Sequence, residues 1–137
     1  MKKLIFILLF ALILAACQSK SMAGETVSVV GGSYQNIVPD ELNTMLKDKD
    51  FVFVNVHITF AGNISNTDLS IPYDQVSIPE NLAQLPTDKA AKIVLYCRSG
   101  RMSEIAATEL VALGYSNIWN LDGGMVAWEQ AGYEIEK

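Results

Sequence analysis

The hydrophobic positions of the chain fall into short apolar runs that alternate with stripes of helical spacing. Residues 51–56 (FVFVNV) and 92–96 (KIVLY) are nearly continuous apolar runs. Such runs are typical of strands that are covered on both faces. Residues 34–38 and 118–120 are shorter β-prone stretches. We therefore predict a sheet whose middle strands are residues 51–56 and 92–96, with neither at a solvent-exposed edge.

Helical patterns occupy the segments between these runs. Pro39 suits the first position of a helix, and Leu42, Met45 and Leu46 follow it at helical spacing. Residues 57–74 are irregular in pattern, and residues 80–85 have room for only one or two helical turns.

Two further helices are predicted in the second half of the chain. Residues 103–113 (SEIAATELVAL) form the stronger pattern, which Gly114 ends, and residues 125–131 form a short last helix. We expect the buried stripe of the longer helix to contain Ile105, Ala106, Leu110 and Leu113. Strands that alternate with helices indicate one α/β domain with a central, mostly parallel sheet flanked by helices.

The start of the chain has the pattern of an export signal. Residues 2–3 are both lysine, and residues 4–16 then run without a charged or polar side chain. A span of the membrane needs about 20 apolar residues, so this shorter run fits the core of a signal peptide. Residues 14–17 (LAAC) resemble the bacterial lipobox. That resemblance implies cleavage before Cys17, lipid on its thiol, and an exported protein anchored to a membrane of the bacterial cell envelope.

The domain boundaries follow from this interpretation. We assign residues 1–16 to the lipoprotein signal peptide and residues 34–137 to the folded domain. Residues 17–33 are mostly small and polar, and we interpret them as the lipidated N-terminus and a tether. An ordinary secretory signal with a chance cysteine at residue 17 is the alternative.

Charge and cysteine content exclude several classes of function. The formal charge of the whole chain is −5, and removal of residues 1–16 leaves eight basic against fifteen acidic side chains, a formal charge of about −7. The sequence has no cluster of lysine and arginine, which argues against a nucleic-acid partner. If Cys17 carries lipid, Cys97 is a free thiol. With one histidine and no cysteine pair, we expect neither a metal site nor a cofactor.

The candidate chemistry lies where the second apolar run ends. Cys97 follows the predicted strand 92–96, and a helix is predicted to begin near Ser103. Ligands of open α/β sheets bind at the carboxyl ends of strands, and a helix N-terminus there favours anions. We therefore expect the sulfur of Cys97 to be held as an anion.

The residues after Cys97 suit an anionic sulfur compound. Arg98 and Arg101 add positive charge and match the geometry of an oxyanion. Gly100 allows a tight turn in which several N–H groups converge, and Ser103 is a candidate helix cap.

Three separated motifs resemble those of one known family. Residues 97–103 (CRSGRMS) resemble the active-site loop of single-domain rhodaneses. Residues 121–128 (LDGGMVAW) resemble the closing L-x-G-G-x-x-x-W signature of that family, and residues 51–72 resemble its region with Asp-Val-Arg, Gly-His-Ile and Ile-Pro. The resemblance covers residues 34–137, in the expected order.

The resemblance implies a rhodanese-like fold and a sulfurtransferase. Sulfane sulfur would pass from an anionic donor such as thiosulfate, through a persulfide on Cys97, to a thiophilic acceptor such as a small thiol. A thiol-redox protein is a possible partner. Cys97 is then the catalytic residue, and the implied substrate-binding residues are Arg98, Ser99, Gly100, Arg101, Met102 and Ser103.

The sequence departs from the family pattern at two places. Asn55-Val56-His57 stands for Asp-Val-Arg, and Gly62-Asn63-Ile64 stands for Gly-His-Ile. These changes put the choice of substrate in question. His57 follows a predicted buried strand on the loop side of the sheet, so it is a possible pocket residue, although a structural role is the commoner one for a single histidine.

Two other functions and one structural role remain open. The chain is either an enzyme or a non-catalytic persulfide carrier or docking module of the cell envelope. A phosphatase or arsenate reductase is disfavoured, because Ser103 stands where a cysteine phosphatase needs an arginine and the loop is one residue shorter. Cys97 as an inert core cysteine is the structural alternative.

Overall fold

The computed structural model describes residues 24–137, which form a six-stranded sheet with helices on both faces. In chain order the strands are β1 Glu25–Val29, β2 Gly32–Ile37, β3 Val52–Asn55, β4 Leu69–Ser70, β5 Ile93–Tyr96 and β6 Ile118–Leu121. They lie side by side in the order β1-β2-β6-β5-β3-β4. Only the β1–β2 pair is antiparallel among the strand pairs of the described residues. The predicted α/β class with a mostly parallel sheet is confirmed.

The helices enclose two separate apolar clusters, one on each face of the sheet. The helices are α1 Pro39–Leu46, α2 Pro79–Leu82, α3 Arg101–Ala112 and α4 Gly124–Gln130, with a 3₁₀ turn at Tyr73–Gln75. Buried side chains of α3, including Leu110, pack against Ile93 and Leu95 of β5. On the other face, Leu42 of α1 and Trp128 of α4 pack in the second cluster. Both faces of the sheet are therefore removed from water, which explains the continuous apolar runs in its strands.

The two predicted middle strands are interior strands. The run at residues 51–56 forms β3 and the run at residues 92–96 forms β5, and these two strands pair in parallel. The two-residue strand β4 lies within residues 57–74, for which the sequence pattern predicts no regular element. It pairs with the outer side of β3. A third strand, β6, is also interior, since it lies between β2 and β5.

The predicted tether is wrong for its second half. Residues 25–29 form β1, which pairs with β2 through a turn at Val30 and Gly31. Val27 and Val29 alternate with polar residues and pack against the cluster under α3. This period-two alternation is the signature of a half-buried strand, so the folded domain begins before residue 34. Residues 1–23, which include the signal peptide, Cys17 and the first part of the tether, lie outside the described residues.

The predicted buried stripe of the long helix is wrong at two of its four positions. Ile105 is 43% exposed and Leu113 is 37% exposed. The buried residues of α3 are Ser103, Ala106, Ala107, Leu110 and Val111. That set follows the i, i+3, i+4, i+7, i+8 spacing of one helical face. Ala106 and Ala107 are small and buried, so α3 can lie close to the sheet. The pattern of apolar residues alone does not show which side of the helix faces the sheet.

Candidate active site

Cys97 lies at the carboxyl end of the sheet, one residue after β5. The chain turns at Gly100, and α3 begins at Arg101, so the loop between strand and helix is very short. Gly100 has φ = 103°, and a Cβ there would lie 3.2 Å from the backbone nitrogen of Gly123. Both the conformation and the space favour glycine at this turn. The position of Cys97 at the switch from strand to helix is the one that the sequence predicted.

Two donors point at the sulfur of Cys97. The backbone N–H of Gly100 donates to Cys97 Sγ at 3.0 Å, and the hydroxyl of Ser103 lies 3.4 Å from the same sulfur. Cys97 is only 1% exposed. Both groups can donate a hydrogen bond to the sulfur of Cys97 or to a charged sulfur atom bound to it.

Ser103 does not cap α3 as predicted. It lies inside the helix, fully buried, while the N-cap position is taken by Gly100 without a side-chain hydrogen bond. The Ser103 hydroxyl also lies 2.9 Å from the carbonyl oxygen of Gly100. A hydroxyl has one proton to donate, so Ser103 serves either this carbonyl or the sulfur of Cys97.

Both arginines of the chain, Arg98 and Arg101, follow the cysteine in the loop and are exposed. In residues 24–137 the only ion pairs join Lys49 to Asp68 and Lys92 to Asp50. Arg98 and Arg101 are therefore not neutralised by a carboxylate within the described part of the chain. The remaining predicted binding residues of the loop differ in exposure: Ser99 is exposed, and Met102 is partly buried against the cluster under α3.

The start of α4 holds the loop from a second direction. The N–H of Met125 donates to the carbonyl of Cys97 at 2.9 Å, and the N–H of Val126 donates to the carbonyl of Arg98 at 2.9 Å. A Cβ at Gly124 would lie 2.3 Å from the carbonyl oxygen of Cys97. The sequence analysis did not predict these hydrogen bonds. The Gly123-Gly124 pair of the closing motif is the feature of the sequence that indicates a close backbone contact here. The pair permits the close approach of α4 to the loop.

The two departures from the family pattern lie together in a neutral network. The side-chain amide of the buried Asn55 donates to the carbonyl of Gly62 at 3.0 Å and to the Oδ1 of Asn63 at 2.9 Å. Its own Oδ1 accepts the N–H of His57 at 3.0 Å. Asn55 and Asn63 thus hold the segment between residues 57 and 63 with neutral amides, at the positions where the family pattern has an aspartate and a histidine.

His57 lies two residues after the end of β3, which pairs with β5, the strand that ends just before Cys97. The charge of Arg98 acts on the imidazole of His57. Its Nδ1 is enclosed and has no hydrogen-bond partner. Burial, and then the charge of Arg98, lower the pKa of His57 below its ordinary value. An unpaired buried N–H costs free energy, so the neutral form with its proton on Nε2 is favoured. His57 as a pocket residue stays a prediction.

Within residues 24–137 no three His, Cys, Asp or Glu side chains come together as a set of metal ligands. The same residues contain no helix with the length and apolarity to span a membrane.

These features define an α/β domain with a thiol at the junction of a parallel strand and a helix. Residues 38–131 match the rhodanese-like domain family, and the chain belongs to that family. Residues 1–18 match the prokaryotic membrane lipoprotein lipid attachment site. This match supports the coarser expectation of a lipid-anchored envelope protein.

Solved structures agree with this family. A rhodanese-like domain protein from Staphylococcus aureus is 34% identical, with a TM-score of 0.59 over 74% of this chain and 98% of that one. A rhodanese-related protein from Thermoplasma volcanium is 27% identical, with a TM-score of 0.62 over 74% of this chain and 97% of that one.

Curated relatives are longer than this chain. A protein named tRNA uridine(34) hydroxylase from Erwinia tasmaniensis is 32% identical over 98 residues, which is 69% of this chain. The protein of the same name from Hamiltonella defensa is 31% identical over 99 residues. In both cases the chain spans only 28% of the relative's length. The name that both relatives carry is that of an enzyme.

Proposed function

We propose that the protein is a sulfurtransferase that moves sulfane sulfur through a persulfide on Cys97. The observation that carries the proposal is the enclosed sulfur of Cys97, which accepts the N–H of Gly100 and lies within reach of the Ser103 hydroxyl. The two arginines that follow it form no ion pair within residues 24–137. Membership of the rhodanese-like family supports the same chemistry.

The first half-reaction loads the enzyme. The Cys97 thiolate attacks the outer sulfur of an anionic donor such as thiosulfate. The S–S bond of the donor breaks, its electron pair leaves with sulfite, and the outer sulfur remains on Cys97 as a persulfide. Arg98 and Arg101 attract the doubly charged donor.

The second half-reaction unloads the enzyme. A nucleophilic acceptor, such as cyanide or a thiolate, attacks the outer sulfur of the persulfide. The bond between the two sulfurs breaks, and its electron pair returns to Cys97 Sγ. The N–H of Gly100 stabilises the negative charge that develops on this sulfur, as a donor in an oxyanion hole does. The hydroxyl of Ser103 adds a second donor when its proton turns from the carbonyl of Gly100 to the sulfur.

A persulfide carrier or docking module is the second candidate. Cys97 is 1% exposed, so its sulfur is shielded from bulk solvent, and shielding suits storage of a reactive persulfide for a thiol-redox partner as well as turnover. The tRNA chemistry named for the longer relatives needs a nucleic-acid partner, which an acidic chain without a cluster of lysine and arginine does not favour.

We further propose that lipid on Cys17 anchors the protein to a bacterial membrane. The lipid attachment match at residues 1–18 supports this location. Two or three acyl chains are sufficient for stable anchoring, whereas one is not.

The proposal is tested by the full chain purified in detergent. Intact mass spectrometry before and after thiosulfate should show the mass of one added sulfur atom, located on Cys97. Steady-state turnover of thiosulfate with cyanide then separates the two candidates, since a carrier acquires the sulfur without sustained turnover. If no sulfur is acquired on Cys97, the sulfurtransferase and the carrier are both wrong.

A further inference from the structure

The chain enters the folded domain at the carboxyl end of the parallel strands. Strand β1 runs antiparallel to β2, and its first residue, Glu25, pairs with Asn36 near the end of β2. Gly24 lies against the same place, because a Cβ there would overlap the carbonyl oxygen of Asn36. Strands β2, β6, β5 and β3 are parallel, so Cys97, which follows β5, lies at this same end of the sheet. The start of the described chain and the proposed nucleophile therefore share one end of the domain.

The number of residues between Cys17 and Gly24 limits how a lipid anchor can orient the domain. Seven peptide units join the two residues, and an extended chain of that length spans at most about 25 Å. A folded domain of this size is about 35 Å across. Lipid on Cys17 therefore keeps the carboxyl end of the sheet nearer to the membrane than the opposite end.

Exposed apolar side chains are concentrated at the same end. Of the large apolar side chains that are exposed in residues 24–137, four follow the carboxyl ends of strands: Val38 after β2, Ile58 and Phe60 after β3, and Val126 in the first turn of α4 after β6. Phe60 is 61% exposed and is the only aromatic residue among the exposed large apolar side chains of this range. Such a concentration of exposed apolar surface indicates contact with a partner or a membrane.

The loop that contains Ile58 and Phe60 is fixed at this end by hydrogen bonds. Asn55 is the last residue of β3, and its side-chain amide donates to the carbonyl of Gly62 at 3.0 Å and to Oδ1 of Asn63 at 2.9 Å. Residues 57–63 therefore leave the end of β3 and return to it, and Ile58 and Phe60 lie beyond the strand. Exposed phenylalanine and aliphatic side chains are the ones that enter the headgroup region when a surface lies on a membrane.

We propose that this end of the domain rests on the membrane, with Phe60 and Ile58 in the headgroup region, so that Cys97 exchanges sulfur at the lipid surface. The inference rests on the lipid anchor at Cys17 proposed above and does not depend on the identity of the sulfur donor. Two apolar side chains bind a bilayer weakly by themselves. The anchor makes their insertion an intramolecular step with a high effective concentration.

The charges at this end are of both signs. Arg98 and Arg101 are exposed there, and the acids Asp40, Glu104 and Asp122 lie at the same end, in the first turns of α1 and α3 and directly after β6. Attraction between basic residues and anionic lipid therefore contributes little. We expect the same orientation on zwitterionic and on anionic membranes, because apolar side chains make the contact.

The test measures which end of the domain touches lipid. The full chain with its native lipid is purified in detergent and reconstituted into vesicles of phosphatidylcholine, or of phosphatidylethanolamine and phosphatidylglycerol in equal parts. Each vesicle type is made with and without bromine in the acyl chains, because bromine quenches tryptophan fluorescence by contact. Phe60→Trp places a reporter at the carboxyl end of the sheet. Val30→Trp is the matched control, since Val30 is also exposed but lies in the β1–β2 turn at the opposite end.

We expect brominated lipid to quench Phe60→Trp by a fraction at least about twice that of the native protein, because a side chain in the headgroup region lies about 5–10 Å deep. The native protein supplies the baseline through Trp119 and Trp128. Val30→Trp should not exceed this baseline, and the two vesicle types should give the same result. Val38→Trp is a second reporter at the proposed contact, and addition of Phe60→Asp to it should reduce its quenching.

The outcomes separate this inference from the lipid anchor on which it rests. If the lipidated chain floats with the vesicles but neither Phe60→Trp nor Val38→Trp is quenched beyond the native protein, the orientation is wrong and the anchor stands. The exposed apolar residues are then free for a protein partner. Equal quenching of Val30→Trp and Phe60→Trp would also overturn the orientation. A purified chain without lipid on Cys17 overturns the anchor, and this inference with it.

Discussion

The carbonyl oxygen of Cys97 accepts a hydrogen bond from the N–H of Met125 at 2.9 Å, so the first turn of α4 fixes the backbone of the proposed nucleophile. This contact requires a residue without a side chain immediately before Met125. Gly124 meets that requirement, since its Cα lies where any Cβ would be 2.3 Å from the same oxygen. The closing glycine motif and the cysteine loop thus form one unit, although they are separated by α3 and β6.

Gly124→Ala should therefore damage both stability and sulfur transfer. The new methyl group would overlap the carbonyl of Cys97, and Gly124 also has φ = 56°, which disfavours a side chain. We expect a loss of about 3 kcal/mol in the free energy of unfolding, together with slower loading by thiosulfate. Urea denaturation and the loading rate check this. Gly132→Ala is the control, because φ is 93° there but no atom lies within 4 Å of the added Cβ. Equal losses in the two variants would show that backbone conformation, rather than contact with the loop, is the cause.

The sequence was sufficient for the sheet and for the position of the loop because both depend on local patterns. Continuous apolar runs identified β3 and β5, and a cysteine followed by arginine and glycine identified the strand-to-helix turn. The exposure of Ile105 depends instead on how α3 packs on the sheet. The strand at residues 25–29 has a local signal, the alternation of Val27 and Val29 with polar residues, but small and polar neighbours led to its assignment as part of a tether. The hydrogen bonds of Asn55 with Gly62 and Asn63, and those from α4 to the carbonyls of Cys97 and Arg98, also could not be predicted from local patterns. They join residues that are separated in the sequence.

Cys97→Ser should abolish sulfur acquisition without unfolding the protein. A hydroxyl has a similar shape and still accepts the N–H of Gly100, but it is a far weaker nucleophile at neutral pH and does not form a persulfide. Intact mass spectrometry after thiosulfate should show no added sulfur, while the thermal midpoint stays close to that of the native protein. Normal turnover of thiosulfate with cyanide in this variant would exclude the mechanism.

Arg101→Ala should weaken the use of an anionic donor. If the guanidinium contacts the donor equally in the ground and transition states, KM for thiosulfate rises more than kcat falls. A charge-assisted contact of about 1.5–3 kcal/mol corresponds to roughly a ten- to hundredfold effect. Arg98→Ala should act in the same direction, and Lys47→Ala, on the C-terminal side of α1, serves as the control. Unchanged KM in both arginine variants would mean that the donor is not an anion bound by this loop.

Cys17→Ala should prevent lipid attachment and leave the folded domain intact. The prediction rests on the lipid attachment match at residues 1–18 and on the fold of residues 24–137, which includes no part of that site. Membrane fractionation and the mass of the mature N-terminus check it, and Ser19→Ala is a neighbouring control. A Cys17→Ala protein that is cleaved normally and stays in the membrane fraction would contradict lipid anchoring.

His57 should make the fold less stable as the solution becomes acidic. Its pKa is lowered in the folded protein by burial and by Arg98, whereas in the unfolded chain it stays near its ordinary value of about 6.5. As pH falls below about 6.5 the unfolded chain takes up a proton more readily than the folded one, so stability decreases. His57→Gln removes this term but keeps a polar side chain of similar size. Urea midpoints at about pH 7.5 and about pH 5.5 should therefore differ less in His57→Gln than in the native protein. Arg98→Ala should also reduce the difference, because it removes the charge that opposes protonation of His57. Identical pH dependence in the native protein and in His57→Gln would mean that the buried Nδ1 of His57 does not resist protonation in the folded state.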